Sequence, residues 1–135
     1  MGDNTGDRLA AVARSLRRHY GSALGAWEIA PSQARALRLV CEREAPRVSA
    51  LAEGMRIAPR SATELVDALE DRGLVAREAD PSDRRATCVV PTEAGRALHA
   101  EIEQTRADAA ADFLARLSTE DRAHLDRILA QLLEP

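Results

Sequence analysis

The sequence predicts a mainly α fold that carries one small β-hairpin. Three observations lead there. Apolar residues recur at three- and four-residue steps over most of the 135 positions, the period lapses once between about residues 74 and 91, and the lapse encloses a polar turn rich in Asp and Arg. The composition agrees: 45% of the chain is apolar but there is one Trp, one Tyr and one Phe, so the interior must be built from Leu, Val, Ile and Ala, as in packed helices.

The elements follow in order. Leu9, Val12, Ala13, Leu16, Tyr20, Leu24 and Trp27 make one stripe, predicting a first helix over about residues 7–25. Pro31 suits the first position of a second helix, lined by Leu37, Val40 and Cys41 and closed before Pro46; Ala30 stands where a capping side chain would strengthen its start. Val48, Leu51, Ala52 and Met55 predict a short third helix, broken around Arg56 and Ile57. Pro59 restarts helix to about Arg72, with Ala62, Leu65, Val66 and Leu69 inward, Arg60, Ser61, Thr63, Glu64 and Asp67 outward, and Gly73 as the left-handed C-cap. Residues 74–78 and 86–90 have strand character, joined by the polar turn 79–85 with Arg84 and Arg85 at its tip. Helix returns from Thr92, with Leu98, Ile102, Ala109, Phe113 and Leu117 inward up to a break at Ser118. A last helix follows, its stripe made of Leu125, Ile128, Leu129, Leu132 and Leu133.

Several function classes are disfavoured. No run reaches the roughly 18 to 20 apolar residues of a membrane span, and the polar start has no apolar segment behind it, so the expected location is cytoplasmic. Cys41 and Cys88 lack the paired spacing of a disulfide framework or zinc site and are expected to be buried or half-buried thiols. His19, His99 and His124 are dispersed, there is no Gly-rich phosphate loop, and no nucleophile and base can be paired by spacing, so no enzyme is expected. His99 and Glu103, one helical turn apart, fit a solvated face better than a metal site, and no metal or cofactor is expected.

Helix, tight turn, helix and hairpin in that order make a winged helix-turn-helix. A single helix fits the major groove of DNA, which puts the exposed start of the fourth helix within reach of base edges, while an arginine on a hairpin tip can enter the minor groove. The net charge of −3 argues mildly against a nucleic-acid partner, but residues 86–135 alone hold nine acids against five arginines, leaving the first two thirds of the chain near balance. Arg56, Arg60, Arg84 and Arg85 favour DNA. Glu64 and Asp67 pull the other way, toward a winged helix used only for protein contacts, and Arg84 or Arg85 could instead pair with Asp80 or Asp83 on a solvated turn.

Val48-Ser49-Ala50-Leu51-Ala52, the run from Ser61 through Arg72-Gly73-Leu74-Val75, then Asp80-Pro81-Ser82-Asp83-Arg84-Arg85-Ala86 and Pro91-Thr92-Glu93-Ala94-Gly95 together resemble the MarR family, the multiple antibiotic resistance regulators. The resemblance covers nearly the whole chain. It implies a single domain, 1–135, with a DNA-binding lobe over about residues 30–98 and dimerisation helices over about 7–25 and 92–133. It implies a homodimer on a pseudo-palindromic operator, commonly a repressor released by a small aromatic effector. By that resemblance Arg60, Ser61 and Thr63 match base- or phosphate-reading positions. Asp83 and Arg85 match the wing's Asp-x-Arg, with Asp83 holding an arginine in place, and His19, Tyr20 and Trp27 lie near the expected effector pocket. Three features depart from the family pattern. Glu64 stands where a basic or neutral residue is frequent, Pro91 replaces a Leu and is expected to end the second wing strand early, and the first helix has no cysteine, so a redox role for Cys41 or Cys88 gains no support.

Overall fold

The computed structural model describes residues 4–135. Six α-helices and one hairpin follow one another as α1 (Thr5–Leu24), a 3-10 turn (Gly25–Trp27), α2 (Pro31–Glu42), α3 (Val48–Met55), α4 (Pro59–Asp71), β1 (Val75–Asp80), β2 (Asp83–Pro91), α5 (Glu93–Phe113) and α6 (Thr119–Leu133). The fold is the mainly α winged helix-turn-helix that the periodicity predicts. It divides into two units, Leu24–Gln104 and the stretches up to Ala23 and from Thr105.

In the Leu24–Gln104 unit the core is where the stripes of α2, α3 and α4 meet the hairpin. Leu37, Val40, Leu51, Val66, Leu69, Val75 and Val89 are almost wholly buried there. Each such aliphatic side chain contributes about 1.5–3 kcal/mol on burial, so this cluster holds the helix-turn-helix as a rigid body. A smaller cluster of Leu24, Ile29 and Ile102, with Trp27, Ala34 and Leu98 packed on it, closes the other end. Ala30 offers α2 no capping side chain, as expected; Gln33 reaches back instead and accepts from the Ala30 N–H at 3.4 Å.

The hairpin is longer than the sequence suggests. The strands run through Asp80 and from Asp83, leaving Pro81 and Ser82 as the whole tip, so Arg84 and Arg85 stand on the first residues of β2 and not in a loop. The cause is Asp80, whose carboxylate accepts from the Ser82 N–H at 2.8 Å and the Ser82 hydroxyl at 2.7 Å and thereby closes a tight Asx turn. Nor does Pro91 end β2 early, since it pairs with Val75 as the last residue of the strand, where its missing N–H costs no ladder bond. Val89 N–H donates to the Pro46 carbonyl at 2.9 Å and Arg47 bridges Cys88, so the segment before α3 adds a short third edge to the wing.

Thr92 caps α5: its hydroxyl accepts from the Gly95 N–H at 3.0 Å and donates to the Gly73 carbonyl at 2.6 Å. A Cβ on Gly95 would lie 1.9 Å from the Leu74 carbonyl oxygen, so only glycine lets α5 start this close to the end of α4. Among the remaining residues, α5 stops at Phe113, earlier than the expected break, because Leu114–Leu117 tighten into i→i+3 turns before Ser118 caps α6 by accepting from the Asp121 N–H at 3.0 Å. The apolar stripes of α1 and α6 leave Leu9, Val12, Ile128, Leu132 and Leu133 exposed, the last at 83%. Among the described residues no helix is long and apolar enough to cross a membrane.

Candidate nucleic-acid interface

The turn between α3 and α4 is made by Arg56, which adopts the left-handed conformation (φ 56°) and lets Ile57 N–H donate to the Ala52 carbonyl at 3.0 Å. Pro59, with its ring-fixed φ, then starts α4 with no side-chain cap. The first turn of α4 therefore presents Arg60, Ser61, Thr63 and Glu64 to solvent. Arg60 is 92% exposed with its Nε 3.7 Å from Glu64 Oε1, the i, i+4 geometry of a weak surface pair. Thr63 turns its hydroxyl back to donate to the Pro59 carbonyl at 3.1 Å, which leaves its methyl group on the outward face.

On the wing, Asp83 Oδ1 accepts from the Arg85 N–H at 3.0 Å and lies 3.7 Å from Arg85 Nε. The guanidinium itself remains in water, 94% exposed, and Arg84 beside it is exposed as well. Asp80 is not a partner of either arginine. Its carboxylate, only 11% exposed, is held by Arg47, with both Nε and Nη2 at 2.7 Å from Oδ2. The two Ser82 donors, with Arg47 adding to them, hold the Asp80 carboxyl down to about 2.

A second ion pair joins the wing to α4. From β1, Arg77 donates to Asp67 at 2.5 Å and to Glu70 at 2.9 Å, and Glu70 also accepts from the Arg77 N–H at 3.2 Å. Asp67, which the sequence alone sets against a DNA partner, is thus neutralised within the fold. Sequence reasoning missed Arg47 and Arg77 because their partners are 33 and 10 residues away. The available signal was the Asp80-Pro81-Ser82 turn, which commits Asp80 to a fixed place.

The three ring side chains expected near an effector each have an intramolecular neighbour. His19 lies 3.4 Å from Asp112 Oδ2 and 5.9 Å from the Phe113 ring centre, beside an open hollow of about 380 Å3 that Arg18 and Ser22 also line. Arg106 places its guanidinium carbon 4.8 Å from the Tyr20 ring centre. Trp27, in the Leu24–Gln104 unit, donates from Nε1 to Glu101 at 3.1 Å. Cys41 is half-buried, Cys88 is buried, and both are free thiols; burial pushes both up from the ordinary range, which disfavours the thiolate that redox chemistry needs.

The model of the MarR family matches residues 29–87. A repressor of Bacillus subtilis strain 168, the HTH-type transcriptional repressor MdtR, is 30% identical over 109 residues, covering 78% of this chain and 70% of that protein. The chain belongs to the MarR family. The matched span runs from Ile29 to Thr87 and so holds α2, α3, α4, the wing tip and both tip-side arginines. A second relative, the putative transcriptional regulatory protein for the hcr operon of Thauera aromatica, is 35% identical over 96 residues, 71% of this chain; the chain spans 58% of that protein's length. Among solved structures, CouR of Rhodococcus jostii RHA1 bound to p-coumaroyl-CoA superposes with a TM-score of 0.78 at 28% identity, over 98% of this chain and 94% of that one.

Proposed function

We propose that this MarR family chain is a sequence-specific DNA-binding transcription repressor, not an enzyme, that acts in the cytoplasm as a homodimer on a pseudo-palindromic operator. One observation carries the reading: Arg60 on α4 and Arg85 on the wing are both more than nine-tenths exposed, on elements tied to each other by Arg77. Two fully hydrated guanidiniums on a preset frame suit a helix in the major groove and a wing in the minor groove. Arg56, Arg60, Ser61, Thr63 and Glu64 form the groove-reading face, and Asp83 orients Arg85 beside Arg84. The DNA lobe is about residues 30–98, and the helices of about 7–25 and 92–133 make the dimer, whose interface would cover the exposed Leu9, Val12, Ile128, Leu132 and Leu133.

The CouR structure, which holds an aromatic acyl thioester, supports release by a small aromatic effector, with His19, Tyr20 and Trp27 as its candidate contacts. A second reading, a winged helix that contacts only protein, draws on the exposed Glu64 carboxylate and the net charge of −3. A gel shift on the DNA upstream of the protein's own gene, repeated over a salt series, separates the two. Tight binding that weakens steeply with salt is expected; no shift at 50 mM salt overturns the DNA reading.

A further inference from the structure

The 3-10 turn Gly25–Trp27 and the following Glu28 are held from two sides by residues to which the DNA-binding reading gives no work. Glu28 ends the turn in the left-handed conformation (φ 50°), a region that a residue with a Cβ rarely occupies without outside support. The support comes from Arg72, at the C-terminal end of α4, whose guanidinium donates to the Trp27 carbonyl at 3.2 Å and to the Glu28 carbonyl at 3.4 Å. From the opposite side the Trp27 indole N–H donates to Glu101 on α5 at 3.1 Å, and the ring packs on the cluster of Leu24, Ile29 and Ile102.

We infer that Arg72, Trp27 and Glu101 form a latch that fixes the direction of the recognition helix α4, with Arg72 and Glu101 as positioning residues for operator reading. The latch works by leverage. Arg72 lies 12 positions from Arg60, so the two ends of α4 are about 18 Å apart at the helical rise of 1.5 Å per residue. A rotation of about 5° about the Arg72 end therefore displaces the Arg60 end by about 1.6 Å, more than a base-edge hydrogen bond tolerates at that rise and length. The planar guanidinium can serve two carbonyls at once, which an ammonium cannot do with the same geometry. Arg72 also ties the end of α4 to the connection that leads from α1 into α2.

The latch rests on the DNA-binding reading, and its test keeps the two apart. Trp27 is the sole tryptophan of the chain, so its emission reports the latch directly, without DNA. Arg72→Ala, Glu101→Ala and the double variant would be prepared, with Arg72→Lys and Glu101→Gln as milder forms should either alanine variant lose its helical circular dichroism. Emission of Trp27 should move to longer wavelength in each single variant. Operator affinity should fall about fivefold to tenfold at fixed salt, the scale of one lost base contact, while affinity for an unrelated duplex stays within about twofold. Because both residues act through the same segment, the double variant should be little worse than the poorer single one. Losses that multiply to within about twofold of full independence overturn the latch, as does emission unchanged in both single variants. Wild-type protein that binds no duplex overturns the DNA reading itself; wild-type binding with unaltered single variants overturns the latch alone.

Discussion

Replacing Arg85 with alanine removes a guanidinium that is 94% exposed and only 3.7 Å from Asp83, a pair too hydrated to contribute measurably to folding. The backbone bond from residue 85 to Asp83 survives the substitution, so the wing keeps its shape and the change isolates the contact with DNA. The proposed symmetric dimer would lose two such contacts at once. Each phosphate neutralised contributes about 0.9 to the slope of log affinity against log salt, so the slope should flatten by about 1.8. Over a fourfold rise in salt, from about 50 to about 200 mM, wild-type protein should then lose about twelve times more affinity than the variant loses. Fluorescence anisotropy with a labelled operator and with an unrelated duplex, at five or six salt concentrations, measures both slopes. A folded Arg85→Ala protein with the wild-type slope would refute the placement of the wing arginine on DNA.

Glu64→Gln should raise affinity for unrelated duplex and shrink the ratio of specific to non-specific binding, since the carboxylate beside Arg60 repels phosphates in wrong registers; both affinities at one salt concentration check it. Light scattering of the intact chain at micromolar concentration should give the mass of a dimer, and truncation before Ser118 should give an aggregating or unfolded chain because loss of α6 leaves the exposed α1 stripe of Leu9 and Val12 without cover. Gly95→Ala should cost about 1–3 kcal/mol in denaturant unfolding, as its Cβ would meet the Leu74 carbonyl oxygen at 1.9 Å; unchanged stability would contradict the close approach. Asp80 is held down to about 2 in the folded chain, against an ordinary carboxyl near 4, so its contribution to stability is present above about pH 4 and lost as pH falls toward about 2. Wild-type protein should lose more stability across that acid window than Asp80→Asn, and equal losses would show that the Arg47 and Ser82 bonds do not stabilise the fold.

The helices were legible because their punctuation is local: Pro31 and Pro59 open α2 and α4, Gly73 closes α4 with a φ of 72°, and Ser118 caps α6. The extent of the wing was not legible, because strand length there is set by a side-chain turn at Asp80 and not by hydrophobic alternation. The pairing of Asp67 was not legible for a related reason. Charge opposition along the chain says nothing of a partner such as Arg77, which reaches it only once β1 is laid against α4. The exposed side chains of the candidate interface, Arg60 and Arg85 above all, were legible as positions on elements; the ion pairs that hold those elements at a fixed angle are products of the tertiary fold.

The two-residue tip of the hairpin bears on what binding demands of the wing. A seven-residue loop over 79–85 would sample many shapes, and ordering it on DNA would cost about 1–2 kcal/mol per residue in backbone entropy. With Pro81 and Ser82 alone outside the ladder, and Asp80 bonded to both Ser82 and Arg47, that ordering is complete when the chain folds. On the proposed reading, Arg84 and Arg85 would meet DNA on a preshaped edge, their reach set by strand pleat and not by chain flexibility. Association should carry the heat-capacity change of surface burial without a component from local folding, and the wing should act as a ruler whose length no groove can adjust.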